Sequence, residues 1–247
     1  QSVSDKKYLV PFILITSLFF LWGFARAILD VLNKHFQNAL HISITQSAMI
    51  QVTTYLGYFL MAIPAGIFIN KYGYRRGVVF GLLLFGLGAI FFIPGAWIGS
   101  FSAFLFCLFV IGCGLVFLET AANPYVTELG ARETATSRLN LSQSFNGLGS
   151  IFATFCIGQF LFNDTQQGGN VVIPYAILGI LVLAIAVVFS RVDLPEIQHQ
   201  QTQEDKAKGS NIAKLFANHR MFVFGLFALL SYEVAEISIN SYFINFV

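Results

Sequence analysis

Seven stretches of this chain, approximately 8–32, 45–69, 77–97, 101–127, 142–162, 171–189 and 221–244, are predominantly apolar. Each is close to the length a membrane crossing needs, roughly 20 residues at a 1.5 Å rise across a hydrocarbon core about 30 Å thick. Lipid offers no partner to backbone N–H and C=O groups, so each stretch has to be a helix. The composition leaves little alternative. Hydrophobic residues make up 56% of the chain and charged residues 11%, whereas a soluble domain carries about 25% charged residues. A soluble protein of 247 residues could not cover that much apolar surface. The expectation is an all-α integral membrane protein whose outer solvent is the bilayer. The first stretch is too long for a signal peptide and lacks a small-residue cleavage site. Cys107, Cys113 and Cys156 lie in apolar stretches without metal-like spacing and read as small hydrophobes. No metal site, cofactor, phosphate-binding loop or nucleic-acid surface is expected.

The polar segments between the stretches set the organisation. Ser43-Ile44-Thr45-Gln46 reads as a capping box that opens the second helix. Residues 163–170 form a turn rich in Gly and Gln, and 190–220 is the one long hydrophilic segment, which reads as a linker. The chain has 14 Lys and Arg residues. With the N-terminus in the cytoplasm, that side receives Lys6, Lys7, Lys71, Arg75, Arg76, Arg132, Arg138, Arg191, Lys206, Lys208, Lys214 and Arg220. The opposite side receives Lys34 alone, which satisfies the positive-inside rule. The organisation expected is a six-helix bundle over 1–189, a cytoplasmic linker over 190–220 and one further helix over 221–247. A lone helix after a six-helix unit and a linker looks like the start of a second unit, because many transporters pair two such halves around a central site. The remaining C-terminal half is therefore an expected partner.

The segment joining the second and third helices reads Gly66-Ile67-Phe68-Ile69-Asn70-Lys71-Tyr72-Gly73-Tyr74-Arg75-Arg76. It resembles the signature loop of the major facilitator superfamily, with Asn70 where the family usually carries aspartate. Gly66 would allow a close helix approach, Gly73 a tight turn, and Lys71, Arg75 and Arg76 pairing with helix ends or acids at a gating interface. An ordinary positive-inside loop is the alternative. Three longer matches resemble the fucose–proton symporter family within that superfamily. They are Ser17-Leu18-Phe19-Phe20-Leu21-Trp22-Gly23-Phe24 with Asp30, then Leu118-Glu119-Thr120-Ala121-Ala122-Asn123-Pro124-Tyr125-Val126-Thr127, then Arg138-Leu139-Asn140-Leu141-Ser142-Gln143-Ser144-Phe145-Asn146. The similarity runs over nearly the whole chain. It implies a major facilitator fold and proton-coupled import of fucose or a related hexose across a bacterial inner membrane. Asp30 and Glu119 would be the essential intramembrane acids.

Several residues point the same way by themselves. A charge at the membrane centre costs roughly 2.5–3.5 kcal/mol on insertion scales, so Glu119, deep in the fourth helix, must face a polar cavity or a partner. Asn123 lies one turn further on the same face. A carboxyl in apolar surroundings is shifted toward the range in which protons exchange at neutral pH, which suits a proton carrier; a structural hydrogen-bonded acid is the other reading. Asp30 sits toward the outer end of the first helix, either as a solvated helix-end acid or paired with Arg26 one turn earlier. Arg26 stands where the fucose permease pattern has asparagines, and it could grip ligand hydroxyls or neutralise Asp30. Asn140, Gln143 and Asn146 form a polar stripe. Gln143 and Asn146 either line a sugar site, since amides donate and accept, or bond between helices; Asn140 reads as structural. Gln51, Tyr55 and Tyr58 mark one side of the second helix, for sugar stacking or for packing. Trp22 reads as packing and Trp97 as an interface anchor. In the seventh helix Glu236 falls at a position the resemblance makes polar, while Glu233 has no such support. The alternatives to a sugar–proton symporter are a polytopic membrane enzyme using Asp30 and Glu119, and a non-transporting fragment. Short loops without clustered carboxylates or histidines argue against the enzyme.

Overall fold

A computed structural model describes residues 8–39, 43–98, 100–162, 172–192 and 219–242. Helices account for nearly all of them, and no strand occurs among the described residues. The helices are α1 (Leu9–Ala39), α2 (Ile44–Tyr72), α3 (Tyr74–Ile90), α4 (Phe92–Ile98), α5 (Phe101–Glu128), α6 (Ala135–Phe162), α7 (Val172–Arg191) and α8 (Arg220–Tyr242). The chain separates into two compact units, Gln1–Ile197 and Gln198–Val247. Among the described residues five segments are long and apolar enough to cross a membrane: Leu9–Ile28, Gln46–Tyr72, Tyr74–Ile98, Phe101–Glu128 and Arg220–Ile239, with a shorter apolar helix at Tyr175–Arg191. Helix α6 has the length but begins with a polar run that includes Asn140, Ser142, Gln143 and Asn146. Most of the expected linker, residues 193–218, lies outside the described residues.

Three boundaries follow from local chemistry. The capping box at the start of α2 is present as expected: Gln46 donates its backbone N–H to Ser43 Oγ at 3.1 Å, and the Ser43 N–H donates to Gln46 Oε1 at 3.0 Å. The turn between α2 and α3 uses Gly73 at φ 87°, a region open to glycine and costly for residues with a Cβ. The third apolar stretch, expected as one helix over 77–97, is interrupted at Phe91. Pro94 accounts for the break: its ring crowds the Ile90 carbonyl and it has no N–H to donate there, and in the first turn of a new helix that loss is tolerated.

Helix α1 packs on α6, α5 lies against both α2 and α3, and α3 also packs on α7. Glycine permits the closest crossings. A Cβ at Gly23 would fall on the backbone carbonyl of Asn146, and one at Gly149 on the carbonyl of Phe20. Ser150 Oγ closes the same crossing by donating to the Gly23 carbonyl at 3.0 Å. A Cβ at Gly112 would strike the Thr54 carbonyl, and one at Gly57 would lie 2.8 Å from the Phe109 carbonyl. Apolar side chains gain little from each other in lipid, so close backbone contact through small residues supplies the cohesion instead. The buried core fills the remaining space with Ile15, Leu18, Phe19, Val78, Leu82 and Phe85. At one end of the core Phe92 stacks on Tyr175, with ring centroids 4.0 Å apart.

One expectation is corrected here: the fifth apolar stretch, expected over 142–162, begins earlier, and Arg138, counted above on the cytoplasmic side, is fully buried. Helix α6 starts at Ala135 rather than near 142, so Arg138 sits inside its first turn. Hydropathy passes over this turn because it is polar. What lets it enter the protein is the set of backbone acceptors waiting at the end of α5.

Candidate functional site

The site is built on α5 at a proline. Pro124 lacks an N–H and its ring crowds the carbonyl four residues back, so the helix is weakened where Glu119, Thr120 and Asn123 lie. Glu119 and Asn123 are half-buried and share a helix face one turn apart. From α6, Gln143 reaches across and donates Nε2–H to Asn123 Oδ1 at 3.3 Å. This joins two of the residues singled out from the sequence. The pairing leaves the Asn123 amide N–H groups and the Gln143 carbonyl oxygen for other partners. Gln143 is exposed and Asn146, one turn on, is half-buried.

Helices α1 and α2 supply the other wall. Trp22 donates its indole N–H to the Tyr58 hydroxyl at 3.2 Å, and the Tyr55 and Tyr58 rings lie 5.8 Å apart. Glu119 and Arg26 each lie within electrostatic reach of the Tyr58 phenol. Arg26 is half-buried and Gln51 is buried. Ser47, Gln51 and Thr54 recur at helical spacing along α2 and are all buried. A hydroxyl pair, Thr16 Oγ1 and Ser142 Oγ, lies buried between α1 and α6 at 3.0 Å.

Other candidates lie elsewhere. Asp30 is in α1, and its side chain lies outside the described residues. Asn140 is exposed, and its carbonyl accepts from Ser144 Oγ at 3.0 Å. Glu233 and Glu236 belong to the second unit, on α8, and are half-buried there. In the signature loop Asn70 and Arg76 are exposed, and Lys71 Nζ lies 5.2 Å from the centre of the Tyr72 ring. Arg75 donates Nε–H to the Phe189 carbonyl at 3.4 Å and a terminal N–H to the Ser190 carbonyl. It thereby places a cation on the negative end of α7. A Cβ at Gly66 would meet nothing within 4 Å. No cluster that could hold a metal occurs among the described residues.

Two elements escaped the sequence reading. Trp22 was expected only to pack, yet its N–H orients Tyr58. The Thr16–Ser142 pair carries no sequence signal, since lone hydroxyls in apolar helices commonly bond their own backbone. The spacing of Ser47, Gln51 and Thr54, in contrast, could have been read.

Comparison with known proteins completes the picture. Residues 15–246 match the Major Facilitator Superfamily. The chain is 37% identical over 225 residues to the L-fucose-proton symporter of Haemophilus influenzae, covering 81% of this chain and 53% of that protein. It is 35% identical over 254 residues to the glucose/galactose transporter of Brucella abortus, covering 100% of this chain and 60% of that protein. Among solved structures it resembles the fucose:proton symporter of E. coli, with a TM-score of 0.70, 36% identity, and coverage of 86% of this chain and 56% of that one. The chain thus spans a little over half the length of the relatives it matches. Those relatives are transporters, not enzymes, and the all-α fold with its apolar helices is theirs. The chain belongs to the major facilitator superfamily.

Proposed function

We propose that this chain supplies the first six-helix half, and the opening helix of the second, of a transporter that carries a hexose together with protons by alternating access. The observation that carries the reading is the Asn123–Gln143 amide pair, one turn from a carboxyl inside an apolar helix. Amides match sugar hydroxyls as both donors and acceptors, and an intramembrane acid marks a proton or ion path. The names of the relatives, fucose–proton and glucose/galactose transporters, support the same substrate class. In this reading residues 1–189 form the bundle, 190–220 the cytoplasmic linker and 221–247 the start of the second bundle, in which Glu236 is the candidate substrate-binding residue. The setting is a bacterial inner membrane with the N-terminus in the cytoplasm.

Cells lacking their own hexose uptake and expressing the chain joined to its second bundle should accumulate fucose or a related hexose, and cells expressing the chain alone should not. Gln143→Ala and Asn146→Ala should each raise the sugar Kd by about 3- to 10-fold, the worth of one hydrogen bond, at unchanged expression. Arg26→Asn should alter the order of preference among hexoses. Binding curves identical to the parent in all three would remove these residues from the sugar site.

Orientation has its own test. In sealed right-side-out vesicles a membrane-impermeant thiol reagent should label Gly99→Cys and spare Gln201→Cys. The reverse pattern would invert the topology.

A further inference from the structure

The guanidinium of Arg138 is wholly enclosed, and its partners are backbone carbonyls and a hydroxyl. Nε–H donates to the Val126 carbonyl at 3.0 Å, and one terminal nitrogen donates to the Thr127 carbonyl at 2.7 Å. The other donates to the Ala131 carbonyl at 3.0 Å and to Thr134 Oγ1 at 2.6 Å. Val126 and Thr127 belong to the last turn of α5, whose carbonyls have no partner within the helix. A cation there also meets the negative end of the helix. The connecting turn is shaped around the group. Gly130, at φ 123°, takes a conformation that a residue with a Cβ rarely adopts, and Arg138 Nη1 lies 3.1 Å from where that Cβ would be.

The location gives the clamp its consequence. Pro124 lies inside α5, which continues unbroken to Glu128, so the last turn, Tyr125–Glu128, carries Asn123 with it. Asn123 stands immediately before that proline, and Gln143 lies little more than one turn beyond Arg138 on α6. The missing Pro124 N–H costs the helix one of its own hydrogen bonds, and Arg138 braces the end of α5 against α6 just beyond that point. Arg138 ties the α5 terminus, the turn and the first turn of α6 into one unit at the point from which both amides are carried.

We propose that Arg138 is a positioning residue for the sugar site: by clamping the post-proline end of α5 to α6, it holds Asn123 opposite Gln143. This rests on the sugar-binding reading of those amides, while its geometric half can be measured without any sugar. Lysine keeps the charge but has no planar fork to span several carbonyls. It therefore separates electrostatic from geometric roles.

The experiment uses the chain joined to its second bundle, with Cys107, Cys113 and Cys156 replaced by alanine. Cysteines at Asn123 and Gln143 are bridged by a short bifunctional thiol reagent in membranes, and sugar Kd is measured separately in the variants that keep both amides. Arg138→Lys should lower the bridging yield several-fold and raise the sugar Kd about 10-fold. In a Gln143→Ala background the same change should have little further effect, because the amide it positions is gone. Thr134→Val, which removes one hydrogen bond and leaves the arginine in place, should shift both readouts in the same direction by less. It decides the matter if Arg138→Lys does not yield folded protein. Bridging at the parental level in the folded variants overturns the clamp. An equal loss of binding with and without Gln143 overturns the positioning role. Absence of sugar binding by the parent defeats the transport reading, and the bridging yields still decide whether Arg138 sets the register.

Discussion

Glu119→Gln, in the chain joined to its second bundle, should abolish accumulation of hexose against a gradient while leaving the protein folded. Glutamine preserves the shape of the side chain and most of its hydrogen bonding, and removes its ability to ionise. A residue that only packs would tolerate that exchange. Glu119 sits half-buried on an apolar helix within electrostatic reach of the Tyr58 phenol, so more than packing is expected of it. A charge in an apolar helix is expensive, so loading and unloading a proton there would change the local electrostatics. Sugar accumulation should fall to the level of passive equilibration, and the alkalinisation of the medium that accompanies sugar entry should vanish. Exchange of labelled for unlabelled sugar needs no net proton movement and could persist. Asp30→Asn is expected to lose uphill uptake as well, although the two variants need not fail in the same way. One acid would carry the proton while the other returns the empty carrier. Normal accumulation and alkalinisation in Glu119→Gln would leave the carboxyl a structural role only.

The second large effect concerns assembly. Gly149→Leu should prevent α1 and α6 from crossing and should leave little folded protein. The Cβ alone would overlap the Phe20 carbonyl, and backbone cannot move aside as a side-chain tip does. Overpacking a side-chain contact typically costs about 1–3 kcal/mol; separating two helices along their crossing forfeits the rest of that contact too, including the Ser150 bond to the Gly23 carbonyl. Gly66→Leu is the matched control, with open space where its Cβ would go. Thermal unfolding of the purified chain in detergent, followed by size exclusion, should show a large drop for Gly149→Leu and little change for Gly66→Leu. Comparable melting of the two variants would show that the α1–α6 crossing does not depend on backbone contact.

What the sequence disclosed and what it hid divide along physical lines. Hydropathy revealed the helices, because the bilayer imposes one secondary structure on any long apolar stretch. Local chemistry revealed the Ser43–Gln46 cap and the Gly73 turn, since both depend on neighbours in the chain. The partner of each helix stayed hidden, because in lipid all apolar faces look alike. In retrospect Gly23, Gly112 and Gly149 held that information, but each needs its opposite number to be recognised. The start of α6 was set too late for a related reason. Hydropathy treats arginine as solvent-seeking, and Arg138 is satisfied by carbonyls supplied from another helix. Among the site residues Asn123 and Gln143 were legible as a pair of candidates, and their contact became visible only once α5 and α6 were set side by side.

The glycine crossings also bear on how this unit can move. Where two backbones touch, neither helix has side chains to re-rotamer, so small sliding adjustments along α1–α6 or α2–α5 meet a hard stop. Slow amide exchange with deuterium is therefore to be expected on both sides of those crossings. Each crossed pair would then move as a single body, so a bound solute would reorient whole helix pairs and not bend one helix within its pair.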